Sequence, residues 1–195
     1  MKTCAALGVS ILLAASMLYA AGSKTSLVTF SHAVRVPGVT LPAGTYRFVS
    51  SGSTGNRSMV RITNRSGDKL FATIMTIPDY RHENTTHAVV LFGEKGPCAS
   101  ATPIRGWFSP NEKYGYRFIY PKDEAQEIAT ACNEPVPETA SALAKKTDLD
   151  ANEASNLEKS EIHLMTPTKQ ERTYEAKVLE AGDKVDTNGF DADNE

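Results

Sequence analysis

The sequence has little of what marks a specialised protein. Its three cysteines are too few for a disulfide-rich scaffold. It also has no collagen-like repeat and no heptad array. Its 21 basic and 23 acidic residues leave a formal charge of only −2, whereas a nucleic-acid binder recognisable by charge carries a clear basic excess. We therefore expect no nucleic-acid partner, and the length of 195 residues suits one domain with appendages.

Sequence motifs of the common enzyme classes are also absent. The chain contains no G-x-S-x-G, no H-E-x-x-H, no phosphate-binding loop and no G-x-G-x-x-G. We therefore expect a non-catalytic protein without a cofactor. One enzyme class stays open at this point, because the two carboxylates of a glycosidase can lie far apart in sequence.

Residues 1–22 have the pattern of a secretory signal peptide. Lys2 supplies the positive charge, Leu7 to Leu18 is apolar, and Ala20, Ala21 and Gly22 supply the small residues of a cleavage site. The apolar run is shorter than the roughly 20 residues that span a bilayer. The pattern predicts an exported protein, periplasmic or extracellular, with no transmembrane segment after cleavage. An uncleaved anchor is the alternative.

Residues 23–135 are predicted to form a β-domain. Twelve of the 15 aromatic residues lie here, and apolar side chains alternate with polar ones, as in half-buried strands. Turn residues divide the region into about eight short strands, which favours an antiparallel β-sandwich or barrel. The predicted strands are 26–31, 33–36, 45–50, 58–63, 69–77, 87–92, 104–108 and 114–120. Two of them, 69–77 and 87–92, are apolar on both faces and are expected to be central.

One helix and an acidic tail are predicted to follow the strands. In Lys122–Cys132 the apolar residues recur at helical spacing, and Asn133, Pro135 and Pro137 can end the helix. Residues 136–195 carry 14 acidic and 7 basic side chains, a net charge of −7, with one Tyr, one Phe and no Trp. So few apolar residues predict a disordered acidic tail.

Five motifs are spread over the predicted domain: Val36-Pro37-Gly38, Leu41-Pro42-Ala43-Gly44-Thr45-Tyr46, Ile77-Pro78-Asp79-Tyr80-Arg81, Trp107-Phe108 with Tyr114-Gly115, and Tyr120-Pro121-Lys122. Together they resemble a group of uncharacterised secreted bacterial β-domain proteins that is frequent in acidobacteria. The resemblance covers about residues 25–137. It implies a secreted all-β domain with a variable tail, and it implies no activity.

Two cysteines remain once the signal peptide has been removed. Cys98 and Cys132 are then the only possible intramolecular pair, and an oxidising compartment favours the bond. We expect a disulfide between them, with two buried free thiols as the alternative. Cys4 lies before the apolar run, where no lipid-anchor cysteine would be.

The segment Asp79–His87 concentrates candidate metal ligands. His82, Glu83 and His87 are of the types that bind zinc, but their spacing fits neither one helix face nor one strand face. A solvated loop is the simpler interpretation. The alternative function, a small secreted hydrolase or metal-dependent enzyme using this loop, predicts that a chelator lowers the melting temperature.

The candidate binding residues lie on strands. Arg47, Arg61 and Arg117 occupy polar positions, and Trp107 shares a predicted face with Arg105, so we expect these four to be at least partly exposed. Residues 23–135 carry a net charge of +4, opposite to the tail, which indicates self-contact or a shared binding surface. The sequence thus favours an exported binding or structural module for a protein or an anionic envelope polymer.

Overall fold

The computed structural model describes residues 23–54, 57–93, 98–140 and 159–174. It confirms the predicted all-β class with a single helix. The elements are β1 Thr25–Phe30, β2 Val34–Val36, β3 Val39–Leu41, β4 Gly44–Thr54, β5 Arg57–Asn64, β6 Leu70–Tyr80, β7 Val89–Phe92, β8 Thr102–Phe108, β9 Tyr114–Phe118, β10 Tyr120–Pro121, α1 Lys122–Cys132, β11 Val136–Thr139, β12 His163–Met165 and β13 Glu171–Thr173. The predicted signal peptide, 1–22, lies outside the described residues.

Most of the strands form one sandwich-like, nine-stranded sheet. Its order is β1-β4-β5-β6-β9-β8-β2-β3, and β7 also pairs with β8. All of the pairings are antiparallel except β2 with β8. Phe30 of β1 meets Phe92 of β7 with ring centroids 6.5 Å apart, so the sheet curls until strands distant in its order come together.

The inner face of the curled sheet holds the main hydrophobic core. Phe48 lies at its centre, with the rings of Phe30, Trp107 and Phe118 5.8 to 6.4 Å away. The β2–β3 hairpin adds Val34, Val36 and Leu41, all fully buried. These side chains come from the alternating apolar rows that the sequence shows, because every second residue of a strand points to the same face.

The two strands that were predicted to be central, because both of their faces are apolar, differ in burial. Residues Ala72 to Ile77 of β6 are all buried, as predicted for a central strand. Strand β7, predicted to be central as well, pairs only with β8 and is half-exposed, so that prediction is wrong. An apolar run alone does not distinguish a central strand from an edge strand that leans on neighbouring rings.

Helix α1 has the predicted bounds. Its stripe of Ala125, Ile128, Ala129 and Cys132 is buried, and Asn133 ends it in the left-handed conformation. On the outer side Arg35 of β2 contacts Glu124 and Glu127, with N···O distances of 3.4 and 3.0 Å. No helix in the described ranges has the length and apolar character needed to cross a membrane.

A second, four-stranded sheet corrects the prediction that residues from 136 onwards are disordered. Its order is β10-β11-β12-β13, so residues 136–139 and parts of 159–174 are strands. Val136 and Met165 belong to the main core. The turn between β12 and β13 is held by Thr166, which accepts a backbone hydrogen bond from Lys169 and one at its hydroxyl from Gln170. Because these apolar residues are few, the average composition of residues 136–195 does not reveal them.

The structure brings Cys98 and Cys132 together at disulfide distance, with Cα atoms 4.9 Å apart. The bond ties the segment before β8 to the last turn of α1. The cavity beside it has a volume of about 20 Å³, room for a single water molecule. Cys132 is part of the main hydrophobic core, and Cys98 packs against that core.

Candidate binding surface

The Asp79–His87 segment starts in the last two residues of β6, and the rest of it is a loop held in place by Arg81. The Arg81 guanidinium donates to the Glu112 carbonyl oxygen at 3.1 Å and to Thr85 Oγ1 at 2.8 Å. It also lies over the Phe108 ring, 5.0 Å from the centroid. The Arg81 guanidinium thus fixes the loop to the residues just before β9.

The structure does not assemble the candidate metal ligands His82, Glu83 and His87 into a site. His82 and Glu83 are exposed on this loop, and the His82 ring packs edge-on against Tyr80 with centroids 5.5 Å apart. Over the described part of the chain, no three His, Cys, Asp or Glu side chains converge as metal ligands. Asp79, near the end of β6, forms an ion pair with Arg117.

Trp107 is fully buried, which corrects the expectation that it is partly exposed. The register between β7 and β8 shifts at Arg105, because Leu91 pairs with Gly106 and Phe92 with Ile104. This β-bulge resets the alternation of side chains, and both Ile104 and Trp107 enter the core. Trp107 stacks on Tyr116 with centroids 5.2 Å apart, so it belongs to the core and to no surface.

Two tyrosines near the end of the main sheet differ in burial. The Tyr120 ring is buried, its hydroxyl lies 2.7 Å from the Ile104 carbonyl oxygen, and burial raises the pKa of the phenol well above its usual value. Tyr114 is 51% exposed at the end of β9, with the Tyr80 ring 5.3 Å away at an angle of 57°. Tyr120 therefore belongs to the core, and Tyr114 to the surface.

Arg117 is an internal ion-pair partner, which corrects its assignment to an exposed surface. Its side chain is only 16% exposed, and Nη2 lies 2.8 Å from Asp79 Oδ2. The carboxylate comes from β6, beside Arg117 on the neighbouring strand β9. Sequence alternation placed Arg117 on the polar side correctly, but it gave no sign that this side is covered there.

The covering side chains come from residues 159–174. Ile162 packs with Met75, Ile77 and Ile119 in a second hydrophobic cluster, and Tyr174 packs against it. This cluster lies on the outer face of the main sheet, opposite the core. It explains why β6 is buried on both faces.

Arg47 and Arg61 remain at the other end of the outer face. Arg61 lies opposite Val49 and Arg47 opposite Thr63 on the paired strands β4 and β5. They are therefore diagonal neighbours, with side chains starting about 7 Å apart. Arg47 extends toward the β5–β6 turn, its Nη1 3.5 Å from where a Cβ on Gly67 would lie.

Two more cations, Arg65 and Lys69, lie in that turn, and the Lys69 ammonium lies over the Phe71 ring, 5.0 Å from its centroid. Because Phe71 packs against the main core, the basic surface is defined as Arg47, Arg61 and Arg65. Arg65 and Lys69 are exposed. The acidic residue of the turn, Asp68, accepts a hydrogen bond from Ser66 Oγ at 2.5 Å. Residues 23–97 hold nine basic and four acidic side chains, so this surface lies in the most positive part of the chain.

A buried titratable cluster on the second sheet has no counterpart in the sequence analysis. Glu138 is 1% exposed and lies opposite His163 on β12, while Lys122 and Glu171 form an ion pair beside it. Burial raises the pKa of the Glu138 carboxyl, the Glu171 carboxylate raises it further, and His163 and Lys122 lower it. The three pairings that join β10, β11, β12 and β13 bring these residues together.

Comparisons with family models, curated proteins and solved structures find no match to this chain.

Proposed function

We propose that this protein is an exported, non-catalytic binding or structural module of the cell envelope or the extracellular space. Three observations support it: the signal-peptide pattern of residues 1–22, the cysteine pair at disulfide distance, and the resemblance of residues 25–137 to secreted acidobacterial β-domain proteins. A disulfide is typical of proteins that work in an oxidising compartment.

The partner in this proposal is an anionic polymer of the envelope, and the basic surface is its binding site. The observation that carries it is the diagonal placement of Arg47 and Arg61 on one sheet face, beside the exposed Arg65. The Nε atom of Arg47 is buried and finds no acceptor in the part of the chain that the structure describes. Arginine suits carboxylate and phosphate groups because its donors are arranged as a planar fork.

Binding to defined polyanions tests the proposal. Polyglutamate and a polyuronate are the probes, neutral dextran is the negative ligand, and affinity is measured at low and high salt. Arg47→Gln/Arg61→Gln should weaken polyanion binding at least fivefold. The matched control, Lys113→Gln/Lys159→Gln, removes the same charge from exposed positions elsewhere and should leave the affinity within twofold.

Equal losses in the two double variants would show that net charge, and not this surface, attracts the polymer. Binding of dextran as tightly as polyglutamate would also contradict the proposal. Exposed charges are screened beyond about 10 Å at 0.1 M salt, so affinity should fall as salt rises.

A further inference from the structure

The outer face of the main sheet is divided between an apolar half and a basic half. The apolar half is covered by Ile162 and Tyr174. Tyr174 also donates its backbone N–H to the Ile162 carbonyl oxygen at 3.1 Å, so the end of the β12–β13 hairpin is fixed there. The described chain stops at Tyr174, and 21 residues follow it.

These 21 residues are strongly acidic. Residues 175–195 contain seven acidic and two basic side chains, a net charge of −5. The internal segment 141–158, which also lies outside the described ranges, has four acidic and two basic side chains and a net charge of −2. Negative charge is therefore concentrated after the Tyr174 anchor.

The basic half of the face lies within easy reach of that anchor. Arg61 is paired with Thr73, and Met59 with Met75, on β5 and β6. Arg61 is thus one strand across and two residues along from Met75, a separation of about 8–10 Å. Tyr174 lies near Asp79 and Arg117, and Asp79 is six residues along β6 from Thr73, which is about 20 Å. An extended chain covers about 3.3 Å per residue, so about seven to ten of the 21 residues after Tyr174 suffice to reach Arg61.

The basic half of the outer face also contains buried polar atoms that lack a hydrogen-bond partner among the described residues. Thr73 is buried, and its Oγ1 finds no hydrogen-bond partner among the described residues; the same holds for Nε of Arg47. Both residues project from the outer face. Buried polar atoms are normally hydrogen-bonded, and carboxylate oxygens would accept from both of these groups.

We propose that residues 175–195 of the same chain occupy the basic surface, with their carboxylates against Arg47 and Arg61. The anchor at Tyr174 gives the segment a high effective concentration without a large interface. The contact is electrostatic and reversible. Its regulatory consequence rests on the function proposed above, since the segment then competes with the anionic polymer for one site.

A spin label on the segment tests the contact directly. The label is attached at Asn188→Cys in a full-length chain that also carries Cys4→Ser, and amide signals are recorded by NMR. The amides of Leu27, Val49 and Thr63, which surround the two arginines, should broaden at low salt and recover at 0.5 M salt. A label at Ala144→Cys is the control and should leave them sharp.

Unbroadened amides with the label at 188 would overturn the inference. Equal broadening from the label at 144 would overturn it too, because the internal segment would then be the occupant.

Charge removal tests the competition. One variant replaces four aspartates of the segment by asparagine: Asp183, Asp186, Asp191 and Asp193. This variant should bind polyglutamate at least threefold more tightly than the wild type. The matched control neutralises Asp148, Asp150, Glu153 and Glu158 and should bind like the wild type. If both bind like the wild type and the label broadens nothing, the inference fails and the proposed function stands. If no form binds a polyanion while the label still broadens the three amides, the function fails and the contact stands.

Discussion

The two faces of strands β4, β5 and β6 are buried by different parts of the chain. The inner face packs on Phe118 and Trp107 of the same sheet, and on the β2–β3 hairpin and α1. Among the described residues, Ile162 and Tyr174 from a much later segment cover one end of the outer face, and Arg47 and Arg61 lie at its other end. The inner face therefore holds the fold together, while the outer face is suited to contacts that form and break.

The largest effect should come from removing a side chain on the inner face. Phe48 is fully buried among three aromatic rings, and Phe48→Ala should lower the free energy of unfolding by about 3–5 kcal/mol. Chemical denaturation measures it. Val49→Ala, one residue along on the outer face, should cost within about 1 kcal/mol. Similar losses from the two variants would contradict the division between the faces.

The second-largest loss of stability should come from removing the cysteine pair. It closes a loop with a sequence separation of 34, and Cys98→Ser/Cys132→Ser should lose about 2–4 kcal/mol. Reducing agent should lower the melting temperature of the wild type and leave the double variant unchanged. A wild type that melts identically with and without reductant would show that the bond does not stabilise the domain.

A smaller and more local effect is expected on the outer face. Ile162→Ala should cost about 2 kcal/mol, because its cluster is small and attaches a hairpin rather than the whole sheet. Hydrogen exchange should accelerate at residues 163–165 and stay slow in β5 and β6. Lys159→Ala is the exposed control. Faster exchange throughout the main sheet would mean that Ile162 stabilises the whole sheet and not only the hairpin.

The smallest change should be a gain in stability from Glu138→Gln. The pKa of Glu138 is raised in the folded state. The contribution of this carboxyl to the free energy of unfolding is therefore fully present below the unfolded pKa and is lost as the pH rises through the folded pKa. The side-chain amide of the variant cannot ionise, so the variant does not lose stability in this way. The variant should melt a few degrees higher than the wild type at pH 7–8, with no gain at pH 4.

Glu83→Gln, in the exposed loop, is the matched control for that measurement. A pH-independent difference between Glu138→Gln and the wild type would point to altered packing instead of charge burial.

The sequence pattern was most informative where local periodicity decides the structure. The stripe of α1 and its end at Asn133 follow from helical spacing and from a residue that adopts the left-handed conformation. Strand β3 was missed, because its three residues lie between Pro37-Gly38 and Pro42, where turn signals outweigh a short apolar alternation. Elements this short depend on the neighbour they pair with.

The candidate site depended on long-range pairing, which periodicity does not contain. One extra residue at Arg105 moved Trp107 from the expected surface into the core. The cover over Arg117 comes from Ile162 and Tyr174, in a segment whose average composition predicts disorder. Arg47 and Arg61 were predictable as outer-face residues, since ordinary strand alternation sets their direction, and both are partly exposed.

The contact between Gly115 and Phe108 has a consequence for tracing ancestry. A Cβ on residue 115 would lie 2.4 Å from the Phe108 ring, and Arg81 lies over the same ring. Replacing the glycine requires the ring to move, and moving the ring removes the support for the arginine that anchors the β6 loop. These three positions should therefore be inherited together.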